Sequence, residues 1–272
     1  MKTTLQKLEE IKQSNYRLDL GEAINDIFNN YKNIALLGGT VILVVSLAAL
    51  VIVGGIAAVF VGAASFTETI TEYTEGTFTS SFLIINLIAT VVAAGLFAPV
   101  TAGILQMAHN SAINEEFDFS TAFMHYKSVY FKEIFLAAVL ITLISSGIST
   151  GIEIIKLSDP LSTSALILSG VGGLLSGLIS FFALLMVPLI IFGKLNAIDA
   201  IKGSFLLVYK KFWLILLLSI VYGIFAMLGL FGLCIGILFT YPVIYSLQYI
   251  IYTSALPIET NDELDEIGDQ RF

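Results

Sequence analysis

Side chains able to do acid–base, metal or nucleophilic chemistry are few in this 272-residue chain, and they are scattered. His109 and His125 are the only histidines, and Cys234 is the only cysteine. None shares a ligand-like spacing with another histidine, cysteine or carboxylate, so neither a metal centre nor a cofactor is expected. Gly170-Val171-Gly172-Gly173 lacks the Lys-Ser or Lys-Thr that would complete a phosphate loop. A single cysteine makes no internal disulfide. Both histidines read as solvated or interfacial groups. Glu153 and Lys156 stand three residues apart, the spacing of a helical ion pair. With no acid, base or nucleophile set to assemble, no catalytic residue is assigned and the chain is not expected to be an enzyme.

Binding is the chemistry that remains. Gln106 and Gln248, with Tyr241 and Tyr245, are the candidate lining of a ligand cavity. Tyr241, Tyr245, Tyr249 and Tyr252 recur at spacings of four, four and three, which places them on one face of a continuous helix. Asn86, Ser145, Ser146, Ser149 and Thr150 are uncharged polar groups inside apolar runs. Hydrogen bonding between helices is the commoner role of such groups.

The elements that hold these residues are six apolar runs: Ile34–Gly62, Phe82–Met107, Ile134–Ile155, Ala165–Phe192, Trp213–Leu230 and Leu233–Tyr252. Each is near the ~20 residues that cross the hydrocarbon of a bilayer. Apolar residues make up 57% of the chain and charged ones 12%, with a mean hydropathy of +0.92. A water-soluble domain carries about 25% charged residues. Of the 13 Lys and Arg, only Lys156 falls on the opposite set of connections. That is the positive-inside pattern. It predicts an all-α, polytopic membrane protein with six transmembrane helices and both termini in the cytoplasm. The first run is too long for the 7–15-residue core of a signal peptide and reads as an uncleaved helix. Glu68, Glu72 and Glu75 fall on the first external loop. The basic residues are dispersed, which argues against nucleic acid, and membrane lipids are the expected partner.

The chain also repeats. An amphipathic helix, a span out, a connection and a span back recur over about 18–110, 117–193 and 196–254. Ala23, Ile24, Ile27, Phe28 and Tyr31 match the spacing of Ala122, Phe123, Tyr126, Lys127 and Tyr130. Ala200, Ile201, Ser204, Phe205 and Val208 match it again, a stripe on one helical face in which Lys127 and Ser204 are the polar exceptions. Asp19 with Glu22 reads as a capping box, and Asp118 and Asn196 as caps of the other two helices. Pro99, Pro188 and Pro242 sit one in each returning span, where they are expected to kink it. Gly147/Gly151, Gly173/Gly177 and Gly232/Gly236 have the G-x-x-x-G spacing of close helix packing. Residues 1–17 form an N-terminal segment in which Leu5, Leu8 and Ile11 mark a short helix, expected on the inner leaflet or against a partner. Residues 257–272 form an acidic tail that is expected to be disordered.

Two runs carry a family likeness: Leu195–Phe205 with Tyr209-Lys210-Lys211-Phe212-Trp213, and Gly232–Pro242. They resemble the six-helix bacterial inner-membrane proteins related to the membrane domain of glycerophosphodiester phosphodiesterases. The resemblance implies a helical protein of the bacterial inner membrane and supplies no catalytic residues. The expected function is therefore a non-catalytic scaffold, assembly or regulatory partner in the envelope, with a membrane-protein partner or a homo-oligomer. The alternative is a carrier or binder of lipid or another amphipathic molecule.

Overall fold

The computed structural model describes residues 3–60, 78–157, 159, 162–231 and 236–258, with 52–60 described by backbone alone. All regular structure among the described residues is helical. In order these are α1 (Thr4–Gln13), α2 (Leu20–Phe60), α3 (Ser80–Ala112), a 3₁₀ helix (Phe119–Tyr126), α4 (Phe131–Lys156), α5 (Thr163–Phe182) and α6 (Met186–Ile191). They continue with α7 (Ala197–Lys210), α8 (Phe212–Leu228), a 3₁₀ turn (Gly229–Phe231), α9 (Gly236–Thr240) and α10 (Val243–Ala255). Glu68, Glu72, Glu75, Gly232, Cys234 and the acidic tail from 259 onward, about which expectations were stated, lie outside the described residues.

Among the described residues, five stretches are long and apolar enough to cross a bilayer: Leu20–Val51, Ser80–Ala112, Phe131–Lys156, Thr163–Ile191 and Phe212–Phe231. The chain is a multi-pass membrane protein by this measure. The sixth expected run, Leu233–Tyr252, differs from a single rod. Its described part is two short helices, α9 and α10, that meet at Pro242. Proline has no amide hydrogen to give the turn before it, so the helix restarts there. Pro188 stands in the first turn of α6, just past the turn at 183–185 that divides α6 from α5, whereas Pro99 lies inside an unbroken α3.

The amphipathic segments differ among themselves. The first runs without a break into α2. The second is a 3₁₀ helix, not an α-helix; Asp118 caps it, receiving the Thr121 N–H, while the Thr121 hydroxyl accepts from the Asp118 N–H. Those bonds, led by the Ser120 hydroxyl, hold the Asp118 carboxyl below the usual carboxylate range. The third is α7, capped by Asn196 through the Asp199 N–H. At the first cap, Asp19 Oδ1 accepts from Gly21 and Glu22, but the Glu22 carboxylate turns to Arg17, 3.7 Å away.

Buried side chains gather at one end of the bundle. They come from the first half of α2 as far as Val41, the last half of α3, the start of α4, all of α6, and α10. The other halves of the spans are mostly exposed, as Leu50, Ile85, Ile144 and Leu174 show. Helix α1 is covered by the chain itself. Leu8 and Ile11 are buried, Leu8 packs beside Gly203 of α7, and Lys210 Nζ donates to the carbonyls of Lys12 and Ser14 at the helix's end.

Candidate functional site

Near each of the three prolines a hydroxyl from an amphipathic segment bonds the main chain three residues before it. A proline lacks the N–H for the carbonyl four residues back and crowds that turn, so nearby polar groups must find other partners. The residue three before each proline is where they arrive. Tyr126 donates to the Leu96 carbonyl at 2.6 Å, before Pro99. Ser204 accepts from the Leu185 N–H at 2.9 Å, before Pro188, and donates to the Phe182 carbonyl at 2.6 Å. Tyr31 donates to the Phe239 carbonyl at 3.3 Å, before Pro242. Each of the second and third segments thus serves the span that precedes it, and the first serves the last.

The same end holds further bonds that no local pattern announces. Asn30 is buried between α2, α3 and α10. Its amide donates to the Ala108 carbonyl at 2.7 Å, and its oxygen accepts from the Ser246 hydroxyl at 2.7 Å. Tyr222 donates to the Ile24 carbonyl at 2.6 Å, and Tyr16 to the Leu207 carbonyl at 3.1 Å. Burial raises the Tyr16 phenol, so it stays a donor. Glu133, in the first turn of α4, accepts from the Ala197 N–H at 2.8 Å and so helps cap α7. A Cβ on Gly103 would collide with the backbone of Ala122, so only glycine lets the 3₁₀ helix lie against α3.

Both histidines depart from the solvated reading. His109 Nδ1 lies 3.1 Å from the Tyr249 hydroxyl, and its ring packs on Phe192. His125 is buried, with Nδ1 3.4 Å from Ser128 and Nε2 without a partner. Burial pushes it down to about 4, which keeps it neutral at physiological pH. Among the described residues, no three His, Cys, Asp or Glu side chains gather to hold a metal ion.

Of the four candidate cavity residues, Tyr241 and Tyr245 meet edge to face with ring centroids 6.0 Å apart. Gln106 Nε2 donates to Asn110 in its own helix at 2.8 Å. Tyr241 is 44% exposed and lies before the Pro242 restart, off the helix that carries Tyr245, Tyr249 and Tyr252. Gln248 is half-buried on α10. Tyr245 is buried and lines a small apolar pocket of about 210 Å³ with Ile42, Val45, Phe97 and Ile104. The tyrosine face expected of one continuous helix is therefore reset by the proline.

A different group of polar residues does share a cavity. Thr90 of α3, Ser146 and Thr150 of α4, and Ser176 and Ser180 of α5 line an open cleft of about 350 Å³, together with Asn86. Its back wall is fixed. Ser176 donates to the Ser145 carbonyl at 2.8 Å, so the 2.8 Å contact between Ser149 and Ser176 has Ser149 as donor. The sequence singled out Ser145, Ser146, Ser149 and Thr150, but Thr90, Ser176 and Ser180 join them only through the packing of three helices. Beyond the cleft, Lys156 Nζ sits 2.9 and 3.0 Å from the two Glu153 oxygens, the expected i,i+3 pair.

Among the described residues, nothing packs closely on the glycine pairs of α4 and α5. A Cβ at Gly147, Gly151, Gly173 or Gly177 would meet nothing within 4 Å. Close approach occurs elsewhere: Gly172 against Ile152, and Gly229 against Gly236.

Comparison with known proteins gave no match: no family model fits the chain, and neither a curated protein nor a solved structure is significantly similar to it.

Proposed function

We propose that this chain is a non-catalytic integral protein of the bacterial inner membrane that holds a partner helix within the bilayer. One observation carries the reading: Gly147 and Gly151 leave open space on α4 at the spacing that lets helix backbones approach. Such a surface gains van der Waals contact only from a second helix at the same depth in the bilayer. The core end, by contrast, is knitted by bonds inside the chain and has little left to offer. Leucine at both positions fills the open face without touching the fold. In lipid discs cut directly from the membrane, the wild-type particle is expected to exceed the mass of one chain and its lipid belt. Gly147→Leu/Gly151→Leu lowers the fraction of larger particles at least about tenfold and leaves the melting temperature unchanged. A wild-type particle of one chain defeats the proposal; larger particles that contain only this chain make the partner a second copy.

The finer architecture belongs to the same proposal: six passes, three repeats and both ends in the cytoplasm. The cyclic order of the bonds beside the prolines supports it, since Tyr126 and Ser204 stand at matching positions, four residues after Ala122 and Ala200. Tyr31 acts one turn later because the matching residue, Ile27, is apolar. Kinship with the glycerophosphodiester phosphodiesterase membrane domain rests on the two runs at 195–213 and 232–242. With Cys234 replaced by serine, an impermeant maleimide added to intact cells is expected to label Asp159→Cys and spare Lys210→Cys. The reverse pattern inverts the threading.

A further inference from the structure

The hydroxyl cleft between α3, α4 and α5 asks for an occupant of its own, distinct from the partner helix. We infer that it holds the polar end of an uncharged lipid, one built from hydroxyl and ester groups.

The cleft's depth is the first argument. Ser146 lies fifteen residues into α4, roughly 22 Å along the helix at 1.5 Å per residue. Glu153 and Lys156 follow two to three turns later, so the cleft lies between the charged ends of this span and inside the hydrocarbon. Ser180 is nevertheless exposed there. Bulk water does not reach that depth, and a hydroxyl facing acyl chains without a partner is costly. An occupant that brings its own donors and acceptors removes the cost.

The chemistry of the lining then selects the class. None of the cleft's lining residues is charged, and the next cation along α4, Lys156, is engaged by both oxygens of Glu153. A phosphate would find no counter-charge, so an anionic phospholipid is disfavoured. The hydroxyl protons of Ser149 and Ser176 are already spent on the back wall. Thr90 donates to Asn86 Oδ1 at 3.5 Å, which leaves Ser146, Thr150 and Ser180 as the hydroxyls around the opening that both give and accept. Hydroxyl and ester oxygens match such a set. At about 350 Å³ the cleft is at the small end of ligand sites, which suits a polar end alone, with the chains left in the bilayer. Leu87 in the lining, and the exposed Ile84 and Ile88 on the same helix, offer those chains an apolar wall.

The test uses the full chain in phosphatidylcholine vesicles containing a photoactivatable diacylglycerol. Adducts are expected on peptides of α3, α4 and α5. Ser146→Ala/Thr150→Val removes two hydrogen-bonding groups without filling the cleft and is expected to cut those adducts about tenfold. Excess unlabelled diacylglycerol competes the adducts away, and excess phosphatidylglycerol does not. Stronger competition by a glycosylated diacylglycerol assigns the sugar-bearing lipid as the source of the same hydroxyl chemistry. Should the double variant lose its thermal transition, Ser180→Ala on α5 carries the same readout. Equal labelling of wild type and folded variant overturns the inference. So does equal competition by phosphatidylglycerol, or adducts confined to other helices. Because Gly147 and Gly151 are left intact, failure here is separable from failure of the partner-helix proposal.

Discussion

Gly103→Leu unfolds the core end of the protein. The position has no room for even a methyl group, because a Cβ there would strike the backbone of Ala122 and not a side chain that could swing aside. Relief requires the whole 3₁₀ helix to retreat from α3. That retreat carries Tyr126 away from the Leu96 carbonyl at the Pro99 turn, and moves the buried His125 as well. Overpacking ordinarily costs 1–3 kcal/mol, and a clash with main chain that also breaks a hydrogen bond belongs at or above about 3 kcal/mol. A drop of many degrees in the thermal transition of the detergent-purified protein, with aggregation on gel filtration, is the expected result. Gly147→Leu is the matched control: its Cβ meets open space, and its melting is expected to stay at the wild-type value. Equal melting of the two variants would show that the 3₁₀ helix does not press on α3.

Asn30→Leu is the second large effect. The asparagine joins three helices through two short bonds, and both partners lie inside the protein. Hydrogen bonds between lipid-embedded helices average only ~0.6 kcal/mol, because the separated groups find other partners. That figure is too small here. Ser246 is fully buried, so its hydroxyl is stranded and the extra bond to Ala108 is lost. A stranded buried group costs about 1–3 kcal/mol, which puts the variant about 2–4 kcal/mol below wild type. Adding Ser246→Ala removes the stranded hydroxyl and is expected to restore about 1 kcal/mol. Denaturant unfolding of the three variants measures it; strictly additive losses would show that the two residues do not interact.

Features written in short range were legible in the amino-acid sequence. Asp118 and Asn196 cap helices because capping depends on a residue type and a spacing of three. Glu153 and Lys156 pair for the same reason, and the first five apolar runs appear as spans. The misreadings begin where a neighbour decides. A proline announces a missing donor, but whether the helix runs on, as at Pro99, or is divided, as at Pro242, depends on what packs beside it. The tyrosine ladder assumed one helix, and Pro242 divided it. Glycine spacing announces a small surface without saying what covers it, and on α4 nothing among the described residues does. His125 is polar by type, yet a neighbouring helix buries it. The candidate cleft was half visible: α4 announced its four hydroxyl residues, whereas those on α3 and α5 needed the packing of three helices to meet them.

The bond from Tyr31 to Phe239 joins residues 208 positions apart, and Asn30 reaches Ser246 over 216. A ribosome delivers the first of these groups to the membrane long before the second exists. The helix that carries Tyr31 and Asn30 must therefore wait, with its tyrosine unanswered and its asparagine held only by Ala108, until nearly the whole chain has been threaded. The clasp that finishes the molecule is fastened from its beginning, and the nascent protein stays unlatched through most of its synthesis.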